Sequence, residues 1–280
     1  MTKHTMQDPN LDIEHEFDSM LNRLKNNEYF AFSRFNDGEV QTLMNIDFTC
    51  KQWQLTGHET VAFRQALAQS LCYQHPDYIV GIPCSCRENI DGFRKHLMEN
   101  YPLHNTRKTF GALFVNAMHK RLQNEFIPAM TKYPIILVAN EKANLTHFKK
   151  CGFDVKHFVP ISHNAWQNFE TITKSVQRYT ESSNPKKHLF LFSAGPVANI
   201  LIPAIHKTHP ENTYIDIGSC IDRQLGLPEG ARNYLKASGW RKLAHCIWHH
   251  PTRKNQISCS AHSKTKWQRM LLRLSAIASL

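Results

Sequence analysis

Two carboxylates flank a glycine at Asp37-Gly38-Glu39. They follow an alternating apolar stretch, Tyr29-Phe30-Ala31-Phe32-Ser33-Arg34, that reads as a strand. In an extended or turning backbone, side chains two residues apart face one side, and Gly38 lets the chain turn sharply between them. Paired hard oxygen ligands suit Mg²⁺ or Mn²⁺, which takes one or two protein carboxylates and completes its shell with water and substrate phosphates. The same residues also compose an ordinary Asp-Gly turn followed by a helix-capping Glu, which is the commoner meaning of such a pair in isolation.

Three further apolar stretches end in polar or glycine-containing turns. His188 to Phe192 runs into Ser193-Ala194-Gly195-Pro196 at the start of a helix. Small residues there let amides and the helix dipole approach a phosphate, with Ser193 and Gly195 as the contacts; Pro at the first helical position of a plain turn is the alternative. Thr213 to Ile217 leads into Gly218-Ser219-Cys220-Ile221-Asp222. Asp216 is expected to point outward at the same rim, with Asp222 about a helical turn further on. Either suits a ribose or sugar hydroxyl, or proton abstraction from an acceptor hydroxyl. Alternatively, Ser219 caps a helix with Asp222 three residues later. Asn164, entering another helix at Pro160 to Trp166, is read as a cap or a ligand contact, and Trp166 as core.

The elements that must position these turns alternate. Helices are expected over 11–25, from the Asp37 turn through Leu43, and over 59–73, 90–100, 115–130, 145–151, 165–179 and 197–206. Short strands are expected at 29–34, 78–82, 135–139, 157–159, 188–192 and 213–217. Such alternation predicts an α/β fold with a mainly parallel, Rossmann-like sheet covered by helices on both faces, which binds ligands at the carboxyl ends of its strands.

Composition bounds the rest. The 280 residues are 41% hydrophobic and 20% charged, enough apolar content for a sizeable core. No apolar run reaches the roughly 18–20 residues that span a bilayer, and the polar first residues do not resemble a signal peptide, so the expected location is cytoplasmic. Eight cysteines without a CxxC pair read as reduced thiols rather than a zinc site. The formal charge of +11 favours anionic partners. Its excess is concentrated after about residue 230, where Trp267, Met270, Leu271, Leu274 and Ile277 recur near helical spacing among Lys264, Lys266, Arg269 and Arg273. The chain is therefore divided into a domain over 1–230 and a basic, helical C-terminal extension over 231–280. That extension packs on the domain or docks peripherally on an anionic inner membrane surface. Other readings are a Rossmann-type methyltransferase, against which the acidic, single-glycine first turn speaks, and a nucleic-acid-binding module, for which no motif is present.

In this order the segments resemble a known family. FSRFNDGEV is similar to the "ARFGDGE" opening of the bacterial GT-D type glycosyltransferases, long catalogued as a domain of unknown function. Asn164-Ala-Trp-Gln-Asn-Phe-Glu-Thr-Ile is similar to the family's "NAF…YDEI", Ser193-Ala-Gly-Pro-Val-Ala-Asn-Ile-Leu to "LGPTAKVL", and Tyr214-Ile-Asp-Ile-Gly-Ser to "AIDIGH". Four ordered matches, over roughly residues 15–225, are more specific than one motif. The resemblance implies a Rossmann-like fold, a nucleotide-diphosphate sugar donor such as a UDP-sugar, and a Mn²⁺ or Mg²⁺ ion on an Asp-x-Glu motif that falls on Asp37 and Glu39. It also implies a glycan, glycolipid or glycoprotein acceptor in bacterial surface assembly. Asp37, Glu39, Asp216 and Asp222 are then the catalytic candidates. Arg34, Asn36, Lys142, Asn164, Ser193, Gly195 and Ser219 are the substrate-binding ones. The chain departs from the family pattern in carrying Asn36 for a Gly, Ser219 for a frequent His, and Lys142 as the cation in a segment that lacks the family's Arg.

Overall fold

The computed structural model describes residues 12–49, 53–55, 60–84, 92–115 and 118–227. The proposed extension over 231–280 lies outside the described residues.

Helix α1 (Ile13–Lys25) is capped by Asp12, whose side chain accepts the Glu14 N–H at 2.8 Å. It buries Ile13, Phe17, Met20, Leu21 and Leu24, one stripe at helical spacing. Strand β1 (Ala31–Arg34) and α2 (Asp37–Leu43) follow, then a small antiparallel hairpin, β2 (Phe48–Thr49) with β3 (Gln54–Leu55). Next come α3 (Val61–Leu71), β4 (Tyr78–Ile82), α4 (Phe93–Asn100) and β5 (Arg107–Phe110). A broken helix, α5 (Met118–Arg121) and α6 (Ile127–Met130) around a π turn at Leu122–Phe126, leads to β6 (Pro134–Asn140), α7 (Leu145–Lys150) and β7 (Asp154–Ile161). A 3₁₀ turn at Ala165–Asn168 opens α8 (Phe169–Ser183). The series closes with β8 (Leu189–Phe192), α9 (Val197–His206), β9 (Thr213–Asp216) and a 3₁₀ turn, Gly218–Ile221.

Among the described residues seven strands form one sheet in the order β5-β4-β1-β9-β8-β6-β7, every pair parallel. Both faces are covered. Phe32, Ile79, Leu137, Leu191 and Ile215 pack with α1, α6 and α7, while their strand neighbours Ala31, Val80, Val138, Phe192 and Tyr214 pack with α3, α8 and α9. The Rossmann-like expectation is met. Because all seven strands run the same way, their carboxyl ends share one rim, and β1 sits where connections leave to opposite sides.

Several elements differ from the sequence expectation, the β2–β3 hairpin among them. β5 was not foreseen because Arg107-Lys108-Thr109-Phe110 opens with two cations. As an edge strand it keeps Arg107 exposed, and the Lys108 ammonium is satisfied by the Leu103 and Thr106 carbonyls. The helix expected over 115–130 is interrupted by the π turn. The acidic Asp37-Gly38-Glu39 segment is not an open turn but the first turn of α2. No helix among the described residues is long and apolar enough to cross a membrane. Cys72, Cys84, Cys151 and Cys220 form no disulfide.

Candidate active site

β1 and β9 end side by side, and Arg34 bridges them. Its Nη2 donates to Asp216 Oδ1 at 3.2 Å, and the same oxygen accepts the Gly218 N–H at 3.1 Å. Gly218 has a φ of +53°, and a Cβ there would lie 2.0 Å from Arg34 Nη2. Backbone and guanidinium both require glycine at this position. Burial raises the pKa of Asp216 against the pull of Arg34. Burial alone would lower that of Arg34, but Asp216 beside it reverses the sign and raises it. Asp216 is 3% exposed, so it lies at the rim without pointing outward from it.

The carbonyl of Arg34 is held from the other side. Asn199, fully buried on α9, donates from Nδ2 to it at 2.8 Å. Its own Oδ1 is buried without a hydrogen-bond partner, as is Arg34 Nε. Asn199 was not singled out from the sequence, although a lone amide in Val197-Ala-Asn-Ile-Leu-Ile was the available signal.

Asn36 is the N-cap of α2, and Glu39 Oε2 turns back to accept its N–H at 3.0 Å. The helix-capping alternative is thus realised. Helical geometry also separates side chains two positions apart by about 200°, so the backbone alone does not aim the two acids together. Glu39 is half-buried, and burial, then the charges of Asp216 and Asp37, push its pKa up to about 7. Asp37, at the first helical position, is exposed.

One strand beyond β9, the Ser193 N–H continues the ladder to Val138 O at 2.8 Å. Gly195 turns with a φ of +54°, and the Trp53 indole sits 3.5 Å from where its Cβ would be. Trp53 comes from the β2–β3 hairpin, which is pinned by the two residues read as cap and core. Asn164 Oδ1 accepts the Gln54 N–H at 2.9 Å, and Trp166 Nε1 donates to Gln54 O at 2.7 Å. Asn164 adopts a φ of +58° and makes no capping bond, so the capping alternative is corrected to a hairpin clamp. Ser219 is half-buried inside its 3₁₀ turn, whose N-cap position is taken by Ile217 rather than by Ser219. Asp222 ends that turn, 6% exposed. Lys142 is exposed beyond β6, three strand spacings or roughly 14 Å from β1. The sheet order therefore separates it from the Arg34–Asp216 pair.

Among the described residues no group of three or more His, Cys, Asp or Glu side chains is arranged to hold a metal ion. Two carboxylates suffice for an ion that also takes phosphate and water oxygens. Asp37 and Glu39 supply oxygen ligands of that class from the first turn of α2, where burial, then Asp216 and Asp37, raises the Glu39 pKa.

No protein-family model and no curated protein matches the sequence. Among solved structures, one described as "The highly conserved domain of unknown function 1792 has a distinct glycosyltransferase fold" is similar at a TM-score of 0.49 and 14% identity. That similarity covers 75% of this chain and 81% of the other.

Proposed function

We propose that this chain is a metal-dependent glycosyltransferase that moves a sugar from a nucleotide-diphosphate donor, a UDP-sugar by preference, to a glycan, glycolipid or glycoprotein acceptor of the bacterial surface. One observation carries the reading. At the carboxyl end of β1, in the segment whose sequence resembles the GT-D opening, Arg34 is hydrogen-bonded to the buried Asp216 of β9 beside the acidic first turn of α2, where Glu39 folds back onto the Asn36 N–H.

In this reading Asp37 and Glu39 would hold Mn²⁺ or Mg²⁺, which would supply positive charge against the negative charge of the departing diphosphate. Arg34, oriented by Asp216 and Gly218, adds fixed positive potential to the rim. The Ser193–Gly195 turn ahead of α9 offers amides to phosphate oxygens. Asp216 is committed to Arg34, so its part is to position that guanidinium. Asp222, which ends the neighbouring 3₁₀ turn, is then the base that accepts the proton of the acceptor hydroxyl.

The test is a screen of nucleotide sugars for Mn²⁺-dependent binding and hydrolysis, with Asp37→Asn and Glu39→Gln as controls. Transfer that survives excess EDTA, or survives in both variants, would refute the reading. A melting-temperature rise with S-adenosylmethionine instead of UDP plus Mn²⁺ would favour the methyltransferase alternative.

A further inference from the structure

We propose that Asn36 is a positioning residue whose side chain straps the acidic start of α2 to Gly111, across the intervening strand β4. The inference rests on the transferase reading for its consequence, but its geometry stands without it. Asn36 Nδ2 donates to Gly111 O at 3.0 Å. Gly111 follows β5, and β5 is not a neighbour of β1, because β4 lies between them. Two strand spacings, roughly 10 Å, must be crossed.

Two glycines clear the way. The chain after β1 is drawn onto β4 by the Phe35 N–H, which donates to Gly81 O at 2.8 Å. The chain after β5 is drawn onto it from the other side by the Gly111 N–H, which donates to Ile82 O at 2.9 Å. A Cβ on Gly81 would stand 3.0 Å from the Phe32 ring and 3.1 Å from Gly111 Cα. On Gly111 it would stand 2.3 Å from Asn36 Oδ1 and 2.9 Å from its Cγ. Neither glycine has a positive φ, so close contact rather than backbone conformation excludes a side chain at both positions.

The strap matters because of what else Asn36 does. Its N–H is the donor that Glu39 Oε2 accepts. One residue therefore links the Glu39 carboxylate, through its backbone, to the far side of β4, through its side chain. Fixing Asn36 fixes where Glu39 and its neighbour Asp37 sit over the rim. Preorganisation of this kind removes the ordering cost that a floating helix start would carry into ligand binding.

Three variants separate the strap from the cap. Asn36→Ser keeps a capping oxygen but is too short to reach Gly111; Asn36→Ala loses both; Gly111→Ala removes the space. Mn²⁺ binding is read by electron paramagnetic resonance well below the unfolding temperature. All three variants should weaken it about tenfold, and the Asn36→Ser/Gly111→Ala double variant should be no weaker than either single one. Amide exchange at Gly38, Glu39 and Val40 should quicken about tenfold in Asn36→Ser while the sheet is unchanged. A purely capping role predicts that Asn36→Ser behaves as the unmodified chain in both measurements, and that result overturns the proposal. If Gly111→Ala fails to fold, the two Asn36 variants decide alone. If the unmodified chain binds no Mn²⁺, the reading under Proposed function falls. The strap is then judged by exchange, which upholds it if quickened and overturns it if equal.

Discussion

Arg34 and Asp216, 182 positions apart in the chain, meet through a 3.2 Å hydrogen bond with side chains only 13% and 4% exposed. A pair this far from water gains little over apolar packing, yet loses heavily when one partner is removed. It fixes the seam between β1 and β9 where the site is built.

Asp216→Ala should therefore leave Arg34 charged, buried and unpaired, at a cost of about 3–5 kcal/mol. The urea midpoint measures it, and Asp216→Asn should cost less because an amide oxygen still accepts. A loss below about 1 kcal/mol in Asp216→Ala, within the range of exposed pairs, would contradict the burial argument.

Glu39 gives a pH signature. Its folded pKa of about 7 lies above the ordinary value of 4.5 for this carboxyl, so the folded chain binds more protons than the unfolded one between those values. Stability then falls as pH rises through that window. Glu39→Gln, whose amide oxygen still caps Asn36, should stabilise the metal-free protein by about 1–2 kcal/mol at pH 8 and by nothing near pH 4. Melting curves at the two pH values read the difference.

His206 predicts the opposite slope. Burial, then the nearby His75, lowers its pKa to about 4. Its ring is fully buried, with Nδ1 3.0 Å from the Tyr73 hydroxyl. The unfolded chain binds the extra proton below about 6.5, so stability should be lost as pH falls from there toward 4, by up to roughly 3 kcal/mol. Chemical denaturation at pH 7 and pH 4.5 should show the loss, and His206→Leu should flatten it.

The hairpin supplies a fourth test. Trp166→Phe removes the Nε1 bond to Gln54 O while keeping an aromatic ring in the core. It should cost about 1 kcal/mol and loosen Trp53 from Gly195, seen as a red shift and stronger quenching of the remaining tryptophan emission. Unchanged Trp53 exposure would mean that Asn164 alone holds the hairpin.

Hydrophobic periodicity made most of this architecture legible. Six of the seven sheet strands, and the rim they share, follow from short apolar runs such as Ile135 to Ala139 separated by amphipathic helices. β5 escaped because an edge strand need bury only part of itself, so Arg107 and Lys108 hide its pattern. The acidic motif was legible as a site of charge, but not as the first turn of a helix, since Asp-Gly occurs in turns and helix starts alike. Asp216 was expected to face outward because a strand-terminal acid usually does; nothing in its own segment reveals that Arg34 will cover it. Lys142 was placed with the site by sequence analogy, and only the strand order separates them. Asn199 and Gly111 were missed because a residue's role as a strap or a clearance depends on partners far along the chain.

The first and last strands of the series lie against each other, Ala31 beside Tyr214 and Phe32 beside Ile215. No intermediate length of nascent chain can hold half of this site in working order. Until about residue 216 has emerged from the ribosome, the guanidinium at the end of the opening strand has no counterion and that strand has an open flank. The rim is thus a late product of synthesis, completed only by long-range closure, and an early stop would strand the acidic helix start beside a sheet still lacking its keystone.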